Sequence, residues 1–181
     1  MLSVAYRVSA SSATALAIAP GREVPQWRWL LLSLLFLVHG VAAGEIAGRV
    51  VSIQDGDTLT VLVSKKQIKV RLTEIDAPER KQPFGTRSRQ SLAELCANKD
   101  ARIVVQGKDR YGRTLGRVRC AGMDANAEQV RRGMAWVFER YAAKESRLYA
   151  MEAEARAARR GLWQDARPVP PWEWRQRTRQ K

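Results

Sequence analysis

Histidine is almost missing from this 181-residue chain: His39 is its one example, and cysteine occurs only as Cys96 and Cys120. His39 lies in an N-terminal apolar stretch that reads as a removable leader, so the working chain is expected to have no histidine. That excludes Ser-His and Cys-His nucleophile pairs, His-bearing zinc sites and imidazole proton shuttles. Two thiols also cannot build a four-thiolate zinc site. No apolar run reaches the roughly 20 residues of a membrane-spanning helix. No internal repeat is visible, and the length suits one domain with a tail rather than two sizeable domains. Acidic residues are scarce, with 18 Asp and Glu against 32 Lys and Arg, a net charge of +14. Such an excess favours a polyanionic partner, nucleic acid first and an acidic membrane surface second. Hydrophobic residues make up 45% of the chain, which supports a packed core and argues against wholesale disorder. Chemistry must therefore run on carboxylates, Arg, Lys, Tyr, hydroxyls and hard cations.

The apolar stretch, Trp29 to Ala43, follows Arg22 and Arg28 and ends in Val41-Ala42-Ala43 before Gly44-Glu45. Charged, apolar and small residues in that order predict a secretory signal over 1–43, cleaved near Gly44. Uncleaved, it predicts a membrane anchor. The charged region is long, and Val24 is an alternative start that yields a shorter leader. The protein is then periplasmic or secreted, with residues 44–163 as the folded domain and 164–181 as a basic tail.

Gly44 to Ile75 reads as a three-stranded meander. Gly48 to Ile53 precedes the Asp55-Gly56 turn signal. Thr58 to Val63 alternates, and a polar turn at Ser64 to Gln67 leads into the alternating Ile68 to Ile75. Asp76-Ala77-Pro78 stops it, because Pro cannot donate to a ladder. Thr86 to Ala97 predicts a helix with Leu92, Leu95 and Cys96 on one face. Ala101–Gln106 and Thr114–Cys120 form a second strand pair across the basic loop 108–113. Asp124 is a predicted N-cap for a helix ending at Gly133. Lys144 to Arg160 shows the clearest helical spacing, with Gly161 after it. The Pro- and Trp-bearing end is expected to be extended. Five strands interrupted by helices fit a small Greek-key barrel of the OB type; by strand count alone, an SH3-like barrel looks similar.

Three stretches carry candidate chemistry. In Asp55-Gly56-Asp57-Thr58 the turn needs only one acid, so Asp57 is surplus to it. In Arg71-Leu72-Thr73-Glu74-Ile75-Asp76-Ala77-Pro78-Glu79, Arg71 sits in a strand, Asp76 at its end and Glu79 three residues on; Glu74 reads as solvated. The third is the loop Asp109-Arg110-Tyr111-Gly112-Arg113. Taken singly, each is an ordinary turn, strand edge or exposed loop. Together they form a set. Two carboxylates begin a hard-cation site. A third can take or orient a water proton. Two guanidiniums can clamp a phosphate and offset its growing charge. These are the parts for hydrolysing a phosphodiester without histidine.

At these residues the chain resembles the staphylococcal nuclease, or thermonuclease, family. The likeness continues through Gly133-Met134-Ala135 to Arg159-Arg160-Gly161-Leu162-Trp163, covering about residues 46–163. It implies an α+β fold: an OB-type five-stranded barrel with about three helices. It also implies Ca²⁺-dependent cleavage of DNA and RNA, with another divalent cation possible. Asp57 and Asp76, with the backbone carbonyl of Ala77, are the implied metal ligands. Arg71 and Arg113 are the implied phosphate-stabilising residues, and Glu79 the implied general base or water-orienting residue. Arg110, Tyr111 and Tyr141 match substrate-contacting positions. Ala77 stands where members often carry Thr, and Glu139 where the best-known member has a pocket-lining tyrosine.

The sequence thus points to an exported, divalent-metal-dependent nuclease with little sequence specificity. The alternative is a non-catalytic OB-fold nucleic-acid binder, but three acids weaken polyanion binding unless a cation neutralises them. Positive charge and aromatics suit backbone tracking and base stacking, which favours single strands or frayed duplex. No stable protein partner is implied, and the chain is expected to be a monomer. Arg175, Arg177, Arg179 and Lys181 read as tail charge that adds non-specific affinity or solubility. Export predicts a Cys96–Cys120 disulfide, since Cys96 ends a helix leading into the strand from Ala101 and Cys120 ends its antiparallel partner.

Overall fold

A computed structural model describes residues 44–180; the expected leader over 1–43 lies outside the described residues. Strands β1 (Glu45–Ile53), β2 (Thr58–Val63) and β3 (Lys66–Leu72) form the expected meander. The polar turn between β2 and β3 tightens to Ser64 and Lys65, both in the left-handed region. The third strand does not run on to Ile75 as predicted. Glu74, at φ 65°, breaks it, and Ile75–Asp76 becomes a separate two-residue strand, β4. The alternating apolar pattern continues across that break, so periodicity alone cannot reveal it.

Helix α1 (Gly85–Cys96) buries Leu92, Leu95 and Cys96, the predicted face. Strands β5 (Asp100–Lys108) and β6 (Thr114–Cys120) pair antiparallel. The order β3-β2-β1-β5-β6 closes where β3 pairs parallel with β6, giving the five-stranded barrel of the OB-type α+β fold. Val50, Leu59, Val61, Val70, Leu72, Ile103 and Val118 fill it with essentially no exposure. The inward residues of alternating strands therefore supply the core.

Past β6, the short strand β7 (Met123–Asp124) leads into α2 (Ala125–Arg131). Asp124 caps α2 as predicted, accepting from the Ala127 N–H at 3.1 Å. Strand β8 (Trp136–Val137) pairs with β4 and so holds Asp76 opposite Trp136. The predicted helix from Lys144 is shorter than its pattern: α3 spans Leu148–Ala157 and stops where Arg159 turns left-handed. Gly161 opens a 3-10 turn instead of following that helix directly. A Cβ on Gly161 would lie 2.2 Å from the Gly133 carbonyl oxygen, so these two glycines let the backbones meet.

The end of the chain is not extended. Pro171–Arg179 is a fourth helix, α4, with Pro at its first position, where the missing N–H costs nothing. Trp172 stacks on Phe138 at 5.5 Å and packs against the cluster of Trp136, Ala155, Leu162 and Trp163. Cys96 and Cys120 form a disulfide with Cα atoms 5.2 Å apart, at the end of the β5–β6 pair where Ala101 opposes Cys120.

Candidate active site

Asp57 is placed by the turn before β2. Its N–H donates to Asp55 Oδ1 at 3.0 Å, and Gln129, wholly buried, donates to the Gly56 carbonyl at 2.6 Å. Gly56 itself presses on α1: a Cβ there would lie 1.8 Å from Ser88 Oγ, so a larger residue would push the turn off the helix. Asp57 is 5% exposed. Its Oδ1 accepts from Thr58 Oγ1 at 3.0 Å, and its Oδ2 accepts from the Ala77 N–H at 2.8 Å and pairs with Arg71 Nη1.

Arg71, opposite Thr58 in the β2–β3 ladder, reaches both acids. Its Nη2 donates to Asp76 Oδ1 at 2.9 Å. Asp57, Arg71 and Asp76 are thus brought together as predicted. Glu79 joins through an unpredicted partner. Arg175, on α4, donates from Nη2 to Asp76 Oδ2 at 2.7 Å and from Nη1 to Glu79 Oε1 at 2.8 Å. Glu79 is held by its backbone: its N–H donates to Gln82 Oε1 at 3.1 Å, and its carbonyl accepts from the Gln82 N–H at 2.8 Å.

Electrostatics follow from this crowding. Burial pushes the Asp57 carboxyl up, but the Arg71 charge and the Ala77 N–H outweigh it and hold Asp57 below the usual carboxylate range. Asp76 goes the other way: burial and the Asp57 charge raise it despite Arg175 and Arg71. Burial, then the charge of Asp57, push Asp55 up to about 7. Asp57 and Asp76 raise the Arg71 guanidinium further above its usual value, so it stays charged.

Asp55 and Arg175 are the residues in contact with this acid cluster that sequence reasoning missed. Asp55 lay within a quoted motif but read as the turn acid alone. For Arg175 the available signal was Pro171 at a helix start and Trp172 three residues before the arginine, on one face. Glu74 is a further correction: it is not solvated, but pairs with Arg117 at 3.2 Å with its side chain 13% exposed.

The second group of predicted residues makes no hydrogen bond or ion pair with Asp57, Asp76 or Glu79 among the described residues. Asp109 Oδ1 accepts from the Tyr111 N–H at 2.9 Å and the Arg113 N–H at 3.0 Å, and Oδ2 accepts from Arg113 Nε at 2.6 Å. Those bonds outweigh desolvation and hold Asp109 below the usual carboxylate range. The Arg110 guanidinium lies 4.9 Å from the centre of the Tyr111 ring and donates to its hydroxyl at 2.8 Å. The loop precedes the β6 residues Thr114 and Leu115, which oppose Val70 and Arg71. It therefore abuts the Arg71 row, while Arg113 itself pairs with Asp109 and not with the cluster. Tyr111 and Tyr141 are 68% and 63% exposed, and Tyr141 packs edge-on against Phe138 at 5.1 Å.

Among the described residues no group of three or more Asp, Glu, His or Cys forms a ready-made metal cage. The donors present nonetheless suit a hard cation. They are oxygens only, both acids already hold a cationic guanidinium between them, and the Ala77 peptide is tied to Asp57. An ion of that kind completes its shell with water and substrate oxygens.

The family described as staphylococcal nuclease homologue matches residues 69–165. An uncharacterized endonuclease of Escherichia coli is 44% identical over 83% of this chain and 98% of its own length. A micrococcal nuclease of Shigella flexneri is 40% identical over 82% of this chain and 91% of its own. A staphylococcal-like nuclease of Arabidopsis thaliana is 35% identical over 72% of this chain, which is 39% of that longer protein.

Proposed function

The chain belongs to the staphylococcal nuclease family and is a phosphodiester-hydrolysing nuclease, and on that premise we propose that it is an exported, Ca²⁺-dependent enzyme cutting DNA and RNA with little sequence specificity. The observation that carries this reading is Arg71 bridging the buried carboxylates of Asp57 and Asp76 beside Glu79. Asp57, Asp76 and the Ala77 carbonyl hold the cation, which when bound supplies charge neutralisation at the scissile phosphate. Glu79, whose side chain is 42% exposed, orients a water molecule and takes its proton as the oxygen attacks phosphorus; the bond from phosphorus to the leaving sugar oxygen breaks, and that oxygen takes a proton from solvent. Arg71 and Arg113 hold the non-bridging phosphate oxygens and offset the charge that develops on them. Arg110, Tyr111 and Tyr141 track the backbone and stack on bases, which favours single strands and frayed ends.

Removal of residues 1–43 releases this monomeric domain to the periplasm or the exterior. The Cys96–Cys120 disulfide supports export, since such bonds persist in oxidising compartments. The test is incubation of the purified protein with single-stranded DNA and RNA, with Ca²⁺ and with chelator. Cleavage of both polymers at many positions, abolished by chelator, is expected. Binding without cleavage in every divalent cation would contradict the proposal.

A further inference from the structure

The C-terminal helix enters the acid cluster through a residue that the hydrolytic scheme leaves unused. Arg175 Nη2 donates to Asp76 Oδ2 at 2.7 Å; Nη1 donates to Asp76 Oδ1 at 3.3 Å and to Glu79 Oε1 at 2.8 Å. Asp76 Oδ1 also accepts from Arg71. Both oxygens of a carboxylate that is 1% exposed are therefore engaged by guanidinium donors. A divalent cation binds through those same oxygens. It would also repel a guanidinium resting on them. Arg175 and a cation therefore compete for Asp76.

The helix docks on the domain through its first turns and aims that side chain. Pro171 is buried, the Val169 carbonyl accepts from Gln82 at 2.6 Å, and Trp172 stacks on Phe138. Trp172 and Arg175 are three residues apart, so the anchored ring and the guanidinium share a face. Residues 176–180 are exposed. A nine-residue helix is marginal without its docking contacts; past Trp172 those are the half-buried Trp174, which lines a cavity with Phe84, Trp136 and Leu162, and Arg175 itself.

We infer that α4 is a latch: Arg175 is the internal counter-ion of the metal-free site, and a divalent cation must displace it from Asp76 and Glu79 in order to bind. This rests on Asp57 and Asp76 being the cation ligands. The latch keeps the acids neutralised and Glu79 occupied wherever divalent cations are scarce. It opens only when a cation competes successfully for the same oxygens.

The test is Ca²⁺ titration by calorimetry without nucleic acid, together with thermal melts in chelator and in Ca²⁺. It uses the full chain as wild type, Arg175→Gln and Arg177→Gln. Arg177 pairs with Glu173 on the exposed face and serves as the control. Arg175→Gln is expected to bind Ca²⁺ about ten- to hundredfold more tightly, the worth of charged hydrogen bonds no longer opposing entry. It should melt lower in chelator and gain more from Ca²⁺ than wild type. Arg177→Gln should bind as wild type does. Should the glutamine variant fail to fold, Arg175→Lys carries the same comparison, because it loses the bidentate fork and keeps the charge. Its expected tightening is smaller. Equal or weaker Ca²⁺ binding by the Arg175 variants overturns the latch and leaves Asp57 and Asp76 as ligands. No Ca²⁺ binding by wild type or variants overturns both.

Discussion

Asp57 and Asp76 are 5% and 1% exposed, and each is fixed by a strand or turn that the barrel core holds in place. Tyr111 is 68% exposed, and Arg113 is braced by Asp109 from within its own loop. One half of the site is thus part of the fold, while the other is a self-supporting arm beside it. A buried acid cluster is costly to build and needs a cation, either a guanidinium or a metal. An exposed loop costs the fold little and is free to follow a substrate. Changes in the first half should therefore alter stability and chemistry together, and changes in the arm chemistry alone.

The sharpest way to break that distinction is Arg71→Ala. It leaves the buried Asp57 without its counter-ion and Asp76 with Arg175 alone, and about 3–5 kcal/mol of stability should be lost in chelator. Chemical denaturation measures this, and Ca²⁺ should restore part of it. Arg113→Ala should instead lower turnover roughly 10²- to 10³-fold, through lost transition-state stabilisation. Its denaturation midpoint should stay close to wild type; a large shift would show that the arm is structural after all.

Replacing both cysteines by serine tests the barrel alone. In the chain-entropy model a loop of about 24 residues contributes roughly 3 kcal/mol, so the midpoint should fall while the Ca²⁺ requirement stays unchanged. The smallest effect concerns Asp109, whose carboxyl lies below its ordinary value. A depressed carboxyl stabilises the loop above the unfolded pKa of 3.8 and loses that contribution as pH falls through the folded value. The amide resonances of Tyr111 and Arg113 should then titrate together with a midpoint below 3.8. A midpoint at or above it would mean that the arm is not braced in this way.

Much of the acid half was legible because its residues lie on strands or turns with strong local signals. Asp55-Gly56 marked the turn, the alternation of Thr58 to Val63 marked β2, and Pro78 marked the stop. The helix face of Leu92, Leu95 and Cys96 and the Asp124 cap could be read from spacing and side-chain chemistry. What escaped depends on tertiary contact. The break at Glu74 puts a non-glycine residue at φ 65°, which the alternating pattern does not announce. The residues from Lys144 to Arg147 form turns instead of helix, and Ser146 Oγ accepts from the Leu148 N–H at 3.4 Å where α3 begins. The tail Pro171–Arg179 is strongly polar and looks extended by composition. It is helical because Trp172 finds Phe138, and Arg175 finds Asp76, across long sequence separations.

Glu79 differs from both halves, as a partly exposed side chain attached to the buried cluster through Arg175. Hydrolysis of a single-stranded oligonucleotide by wild type and Glu79→Gln, at saturating substrate and Ca²⁺, tests its assigned role most directly. The substitution keeps the shape and removes the base, so turnover should fall roughly 10²-fold or more while affinity for the oligonucleotide changes far less. Equal turnover by the two proteins would contradict the assignment of Glu79 and the chemistry built around it.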